Sequence, residues 1–171
     1  MKKSFKQDII QFLKSENREI NLQNILYSFA NSSIQCVLLI RLRSYFLQNK
    51  YTLVLSKITG WILERFYSTS IFTTDIGAGL LIPHPLCVVI NAKSIGENCT
   101  ILQGCTIGLL STSDPQKPII GNEVYLGAGA KILGPIKVGD GSTVGANAVV
   151  LSDIPENAVA VGIPARTLSK K

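Results

Sequence analysis

IGNEVYLGAGAKILGPIKVGDGSTVGANAVV, residues 120–150, carries an aliphatic residue at every sixth place: Ile120, Leu126, Ile132, Val138, Val144 and Val150. The count continues upstream through Ile95, Ile101 and Ile107, and before that through Ile76, Ile82 and Val88. The following residue is Gly at seven of these twelve places. Four positions on, the residue is often small, as at Ala92, Cys99, Cys105, Ala130, Ser142 and Ala148. A helix repeats about every 3.6 residues and a lone strand every two. A period of six is that of a parallel β-helix, whose short strands each stack on their equivalent one coil away. Three hexads close a triangular coil, so twelve predict about four coils, spaced by about 4.8 Å. Gly is expected where corners need positive φ or tight packing.

The count is disturbed twice. One extra residue falls between Val88 and Ile95, and the step from Ile107 to Ile120 is thirteen. Residues 109–118 contain Ser111, Thr112, Ser113, Asp114, Pro115, Gln116, Lys117 and Pro118, a turn-forming composition that must leave the prism as a loop. Such inserts usually map to the binding face of a repeat protein.

Residues 1–70 read as a short α-helical region and residues 71–171 as the β-helix with its C-terminal tail, the period changing in the Ser/Thr stretch 67–74. Helices are expected over 4–13, 22–29, 33–47 and 51–66, with Asn31 and Ser32 as cap residues and Asn49 as a stop. The net charge of +6 belongs wholly to the first region, which has ten Lys/Arg against four Asp/Glu; the remainder balances seven against seven. These apolar, basic helices suit a cap over the open end of the solenoid. They also suit a helix resting on a membrane with its cations at the headgroups. No nucleic-acid motif accompanies the charge. No apolar run reaches the roughly 18 residues of a spanning helix, and the start lacks a signal-peptide core, which predicts a cytoplasmic protein. Cys36, Cys87, Cys99 and Cys105 show no C-x-x-C spacing, so no metal or redox site is expected from them.

The single histidine, His84, stands between Pro83 and Pro85 and outside the inward column. Imidazole is the usual general base near neutral pH.

The stretches IGAGLLIPHP (76–85), IGENCTILQGCTIG (95–108), IGNEVYLGAGAKILGPIKVGDG (120–141), VGANAVV (144–150) and VGIPAR (161–166) carry a resemblance. Residues 77–166 resemble the hexapeptide-repeat acyltransferases, most closely their serine acetyltransferase-like branch. The resemblance implies a mainly β chain built on a left-handed parallel β-helix. It also implies a homotrimer with sites between neighbouring subunits, acetyl-CoA as donor, no metal, and His84 as general base. It places Gly108, Ala128, Gly129, Ala146 and the turn Gly162, Ile163, Pro164, Ala165, Arg166 along the cofactor. Cations such as Lys131, Arg166 or Lys170 are expected to meet its phosphates as charge-assisted contacts. Pro83, Asn91 and Lys117 fall on the acceptor side.

The chain also departs from serine acetyltransferases. Pro83 stands where they have an Asp before the histidine, and Thr69 stands in the register of an Asp thought to orient it, with Asp75 nearby. Gln116-Lys117-Pro118 replaces their Arg-His-Pro. Pro-His-Pro looks instead like relatives that acetylate sugars of bacterial surface polysaccharides. The sequence therefore favours O-acetylation of a sugar hydroxyl in such a polysaccharide or its precursor. Serine O-acetylation for cysteine synthesis and a non-catalytic β-helix scaffold are the alternatives.

Overall fold

The computed structural model describes residues 2–48, 50–111, 113 and 115–168. Four helices come first: α1 (Lys2–Ser15), α2 (Leu22–Ser28), α3 (Ser32–Leu47) and, after a 3₁₀ turn at Lys50–Thr52, α4 (Leu53–Tyr67). Asn21 and Asn31 cap α2 and α3, their side chains accepting from the backbone N–H groups of Asn24 and Ser33. The expected stop at Asn49 lies outside the described residues, as do Thr112, Asp114 and Lys170.

Among the described residues, thirteen short strands follow, on three faces. The first face stacks β1 (Ser70–Ile71), β2 (Val89–Ile90), β5 (Thr106–Gly108), β8 (Lys131–Leu133) and β11 (Val149–Val150). The second stacks β3 (Ser94–Ile95), β6 (Ile119–Ile120) and β9 (Lys137–Val138). The third stacks β4 (Thr100–Ile101), β7 (Tyr125–Leu126), β10 (Thr143–Val144) and β12 (Val159–Gly162), and β13 (Ala165–Leu168) folds back antiparallel on β12. All twelve hexad positions are buried.

The register corrects the count in two ways. The first-face column runs Ile71, Ile90, Ile107, Ile132, Val150, so there are five levels rather than about four. The first coil begins inside the Ser/Thr stretch. The last closes through a four-residue step from Val150 to Ile154, which pairs with Val138. Neither shows the six-residue signature. Val88 is buried, but Ile90 is the stacked residue. The step from Ile82 to Ile90 is eight and that from Ile90 to Ile95 is five. The irregularity is therefore a two-residue surplus at 83–87 followed by a one-residue deficit.

Glycines after the aliphatic positions serve close packing. A Cβ on Gly77 or Gly96 would lie 2.5 Å from backbone of the next coil. The left-handed residues sit two places later, as at Asn98 and Gly129.

The helices cap the open end through specific polar contacts. Arg41 of α3 and Asp8 of α1 form a buried bidentate pair at 2.9 Å. Arg41 also donates to the carbonyls of Ile76 and Gly77, and Asp8 accepts from the Leu80 N–H, so the pair closes strand groups that no coil covers. Arg43 does the same for the Ile71 carbonyl. Cys36, Val37, Ile40 and Leu63 join the aliphatic core of the coil. The Ser/Thr stretch has a related use: Thr73, buried, accepts from the Ala92 N–H and donates to the Ala92 carbonyl.

Candidate active site

The surplus residues at 83–87 make the turn that carries His84. Pro85 is buried, and His84, Leu86 and Cys87 are exposed. The prolines on either side restrict the backbone of the turn. Leu86 N–H donates to the His84 carbonyl at 2.8 Å, Cys87 N–H to the Tyr67 carbonyl at 3.1 Å, and Gly104 N–H to the Leu86 carbonyl at 3.0 Å. Thr69 lies beneath, with no exposure. Its hydroxyl is 3.0 Å from the Tyr67 carbonyl and 3.3 Å from the Pro85 carbonyl, and it accepts from Val88 N–H at 3.4 Å. Sequence comparison marked Thr69 only as the place of an absent carboxylate; here its hydroxyl ties down the turn. Asp75 is exposed at the start of the second face, a different corner of the coil.

Thr69→Val removes those bonds and leaves the Pro85 carbonyl without one of its partners. It should lower stability by about 1–3 kcal/mol and lower kcat more than it raises KM, with Thr69→Ser restoring both. Urea unfolding and steady-state kinetics measure the two effects; unchanged kcat in a destabilised Thr69→Val would limit Thr69 to a role in folding.

Below the His84 turn, the edge between the third and first faces is lined by small residues. Backbone bonds step down it from Leu86 to Gly104, from Gln103 to Gly129 and from Ala128 to Asn147. Gly145 N–H then reaches the Ala160 carbonyl, next to the turn that starts at Gly162. A Cβ on Gly127 would come 2.7 Å from the Ala146 nitrogen, so bulk is excluded from this edge. His84, Ala128, Gly129, Ala146, Gly162 and Pro164 thus share one side of the prism. Four coil steps separate its ends, roughly 19 Å. Lys131 runs along this side, its Nζ donating to the Gly104 carbonyl. Arg166 lies opposite Val161 at the lower end and is exposed.

Three predicted residues do not join them. Gly108, Asn91 and Lys117 occupy the corner between the first and second faces, where the 109–118 excursion leaves. A Cβ on Gly108 would touch the Asn91 side chain at 3.9 Å. Lys117 borders a groove of about 370 Å³ with Lys93, Lys137 and Asp153. Within one chain these residues cannot complete the His84 site, because the strands of the first face separate the two corners.

The cysteines divide by burial. Desolvation pushes the Cys36 thiol up to about 12 and Cys99 up to about 11, and raises Cys105. Cys87 alone is exposed. Reactivity follows the accessible thiolate, so iodoacetamide should label one thiol per native chain, at Cys87, by peptide mass spectrometry. Rapid labelling of a second cysteine would contradict this packing. Among the described residues, no three His, Cys, Asp or Glu side chains are grouped to hold a metal ion.

Comparison with known proteins follows this geometry. The family described as bacterial transferase hexapeptide (six repeats) matches residues 117–152. A serine acetyltransferase of Helicobacter pylori is 48% identical over 97 residues, which is 56% of this chain and 57% of that protein. One of Mycobacterium tuberculosis is 42% identical over 97 residues, 56% of this chain and 42% of its own length. The chain therefore spans little more than half the length of these relatives, or less. Among solved structures, the soybean serine acetyltransferase apoenzyme superposes with a TM-score of 0.82 at 29% identity, over 96% of this chain and 69% of that one. The coil is the left-handed β-helix of these proteins. In sequence and in fold the chain resembles serine acetyltransferases, and residues 117–152 carry the repeats of the bacterial transferase hexapeptide family.

Proposed function

We propose that the chain is an acetyl-CoA-dependent O-acetyltransferase that works as a homotrimer, with His84 as general base. The observation that carries this is the placement of the only histidine, exposed on a braced turn at one end of a small-residue edge. His84 takes the proton of an acceptor hydroxyl as its oxygen attacks the thioester carbonyl. Backbone N–H groups stabilise the oxyanion that forms. The C–S bond then breaks, and the imidazolium returns the proton to the departing CoA sulfur. No covalent acyl-enzyme is needed. The pantetheine arm runs along Ala128, Gly129 and Ala146, with Lys131 beside it. Arg166 at the far end provides a charge-assisted contact for phosphate. A threefold arrangement brings a neighbour's Gly108, Asn91 and Lys117 corner to the His84 edge, which accounts for a site split between two corners of one chain. The reaction belongs in the cytoplasm, where acetyl-CoA is made.

The relatives favour L-serine as acceptor over the sugar expected from the sequence. A sugar hydroxyl stays as the second reading on one observation: Pro83 and the buried Thr69 put no carboxylate in the His84 turn to meet an ammonium group. Purified protein with acetyl-CoA and either L-serine or saccharide acceptors decides. CoA release matched by O-acetylserine supports serine. Release with saccharide alone supports the second reading. Release with neither, across a broad acceptor panel, leaves the scaffold and overturns the proposal.

A further inference from the structure

Among the described residues, fifteen of the twenty-two exposed large hydrophobic side chains lie between Ile20 and Phe72. Residues 1–72, which include this stretch, hold all of the chain's net charge. Helix α4 shows the sharpest case, because its amphipathicity is reversed. It turns Ser56, Thr59 and Gly60 inward with Leu63, and leaves Val54 67%, Ile58 48%, Trp61 61% and Phe66 68% exposed. Val54, Ile58 and Trp61 follow the i, i+4, i+7 spacing of one helix face. Trp61 and Phe66 form an edge-on pair at 6.5 Å that is open to solvent. Lys57 and Arg65, also exposed, flank the stripe with Glu64 as the only acid on the helix.

We propose that this face of α4 docks peripherally on an anionic phospholipid bilayer, the helix lying in the plane of the interface. An apolar stripe with aromatic residues and flanking cations fits the boundary between headgroups and acyl chains. The helix has 15 residues, and among the described residues no single helix is long and apolar enough to cross a membrane. A second trimer set face to face on these helices is the poorer occupant, since it would oppose two like-charged ends, whereas an anionic surface attracts that charge. The helices cap the first coil, the coil that carries His84, so docking brings the His84 turn to the membrane-proximal end of the solenoid. The docking proposal does not depend on the acetyl-transfer reading.

Trp61 is the only tryptophan, so its emission reports on this face alone. The full chain is mixed with vesicles of phosphatidylcholine, with and without phosphatidylglycerol. The expected result is co-sedimentation and a blue shift of Trp61 with the anionic vesicles, weakened by salt. Val54→Asp with Ile58→Asp should reduce partitioning about tenfold or more, with oligomer mass and CoA release to a water-soluble acceptor unchanged. Failure of the unaltered chain to bind anionic vesicles overturns the proposal. So does a lipid-free blue shift that grows with protein concentration as the mass doubles, which makes a second copy the occupant.

Discussion

His84→Ala should lower kcat by about 10²- to 10⁴-fold, the usual contribution of a positioned general base, while leaving the assembly intact. His84 is exposed, and among the described residues none hydrogen-bonds its imidazole, so its removal withdraws no packing from the coil. Its backbone is held by contacts the substitution keeps: Leu86 N–H on its carbonyl, and Thr69 beneath Pro85. The loss should therefore appear in kcat with little change in urea stability or in affinity for CoA. Full activity in a folded His84→Ala would remove the histidine from the chemistry and leave the small-residue edge without a base.

The second large effect lies at the other function of the first coil, its closure by the helices. Asp8→Ala leaves the Arg41 guanidinium among buried backbone with no counter-charge, and Arg41→Ala strands both the Asp8 carboxylate and the carbonyls of Ile76 and Gly77. Breaking a buried pair from one side costs about 3–5 kcal/mol. That is a large share of the roughly 5–15 kcal/mol that holds a typical domain folded. Replacing both, as in Asp8→Leu with Arg41→Met, should recover part of the loss. Recovery should be incomplete, because the edge carbonyls and the Leu80 N–H still lack partners. Urea unfolding of the three variants measures this. A loss under about 1 kcal/mol in the single variants would mean that the pair behaves as an exposed ion pair and that the cap is held by Ile40, Val37 and Leu63 alone.

The coil could be read from residue numbers because each aliphatic position meets the same surroundings one turn later. The signal fails where the surroundings differ. The first coil has helices above it, so hydroxyls at Thr69 and Thr73 replace part of the repeat. The last coil shortens to four residues before Ile154. Val88 and Ile90 are both buried and aliphatic, and only the ladder to Ile107 tells which of them stacks. That ambiguity placed the extra residue after Val88, when the surplus lies in the His84 turn itself. The Arg41–Asp8 pair joins residues thirty-three apart on two helices and leaves no mark in the pattern. Ala128, Gly129 and Ala146 were assigned to the His84 site by the family resemblance, and the register sets them on the edge that carries His84. The assignment of Gly108, Asn91 and Lys117 to the same site was not separable by corner, since the irregular steps on either side obscured the phase.

A structure of the full chain with CoA bound tests the central claim most directly. The account predicts the thiol end beside the His84 imidazole, with the arm passing Ala128 and Ala146 towards Arg166. CoA seated instead in the lysine-lined groove of Lys93, Lys117 and Lys137, away from His84, would contradict it.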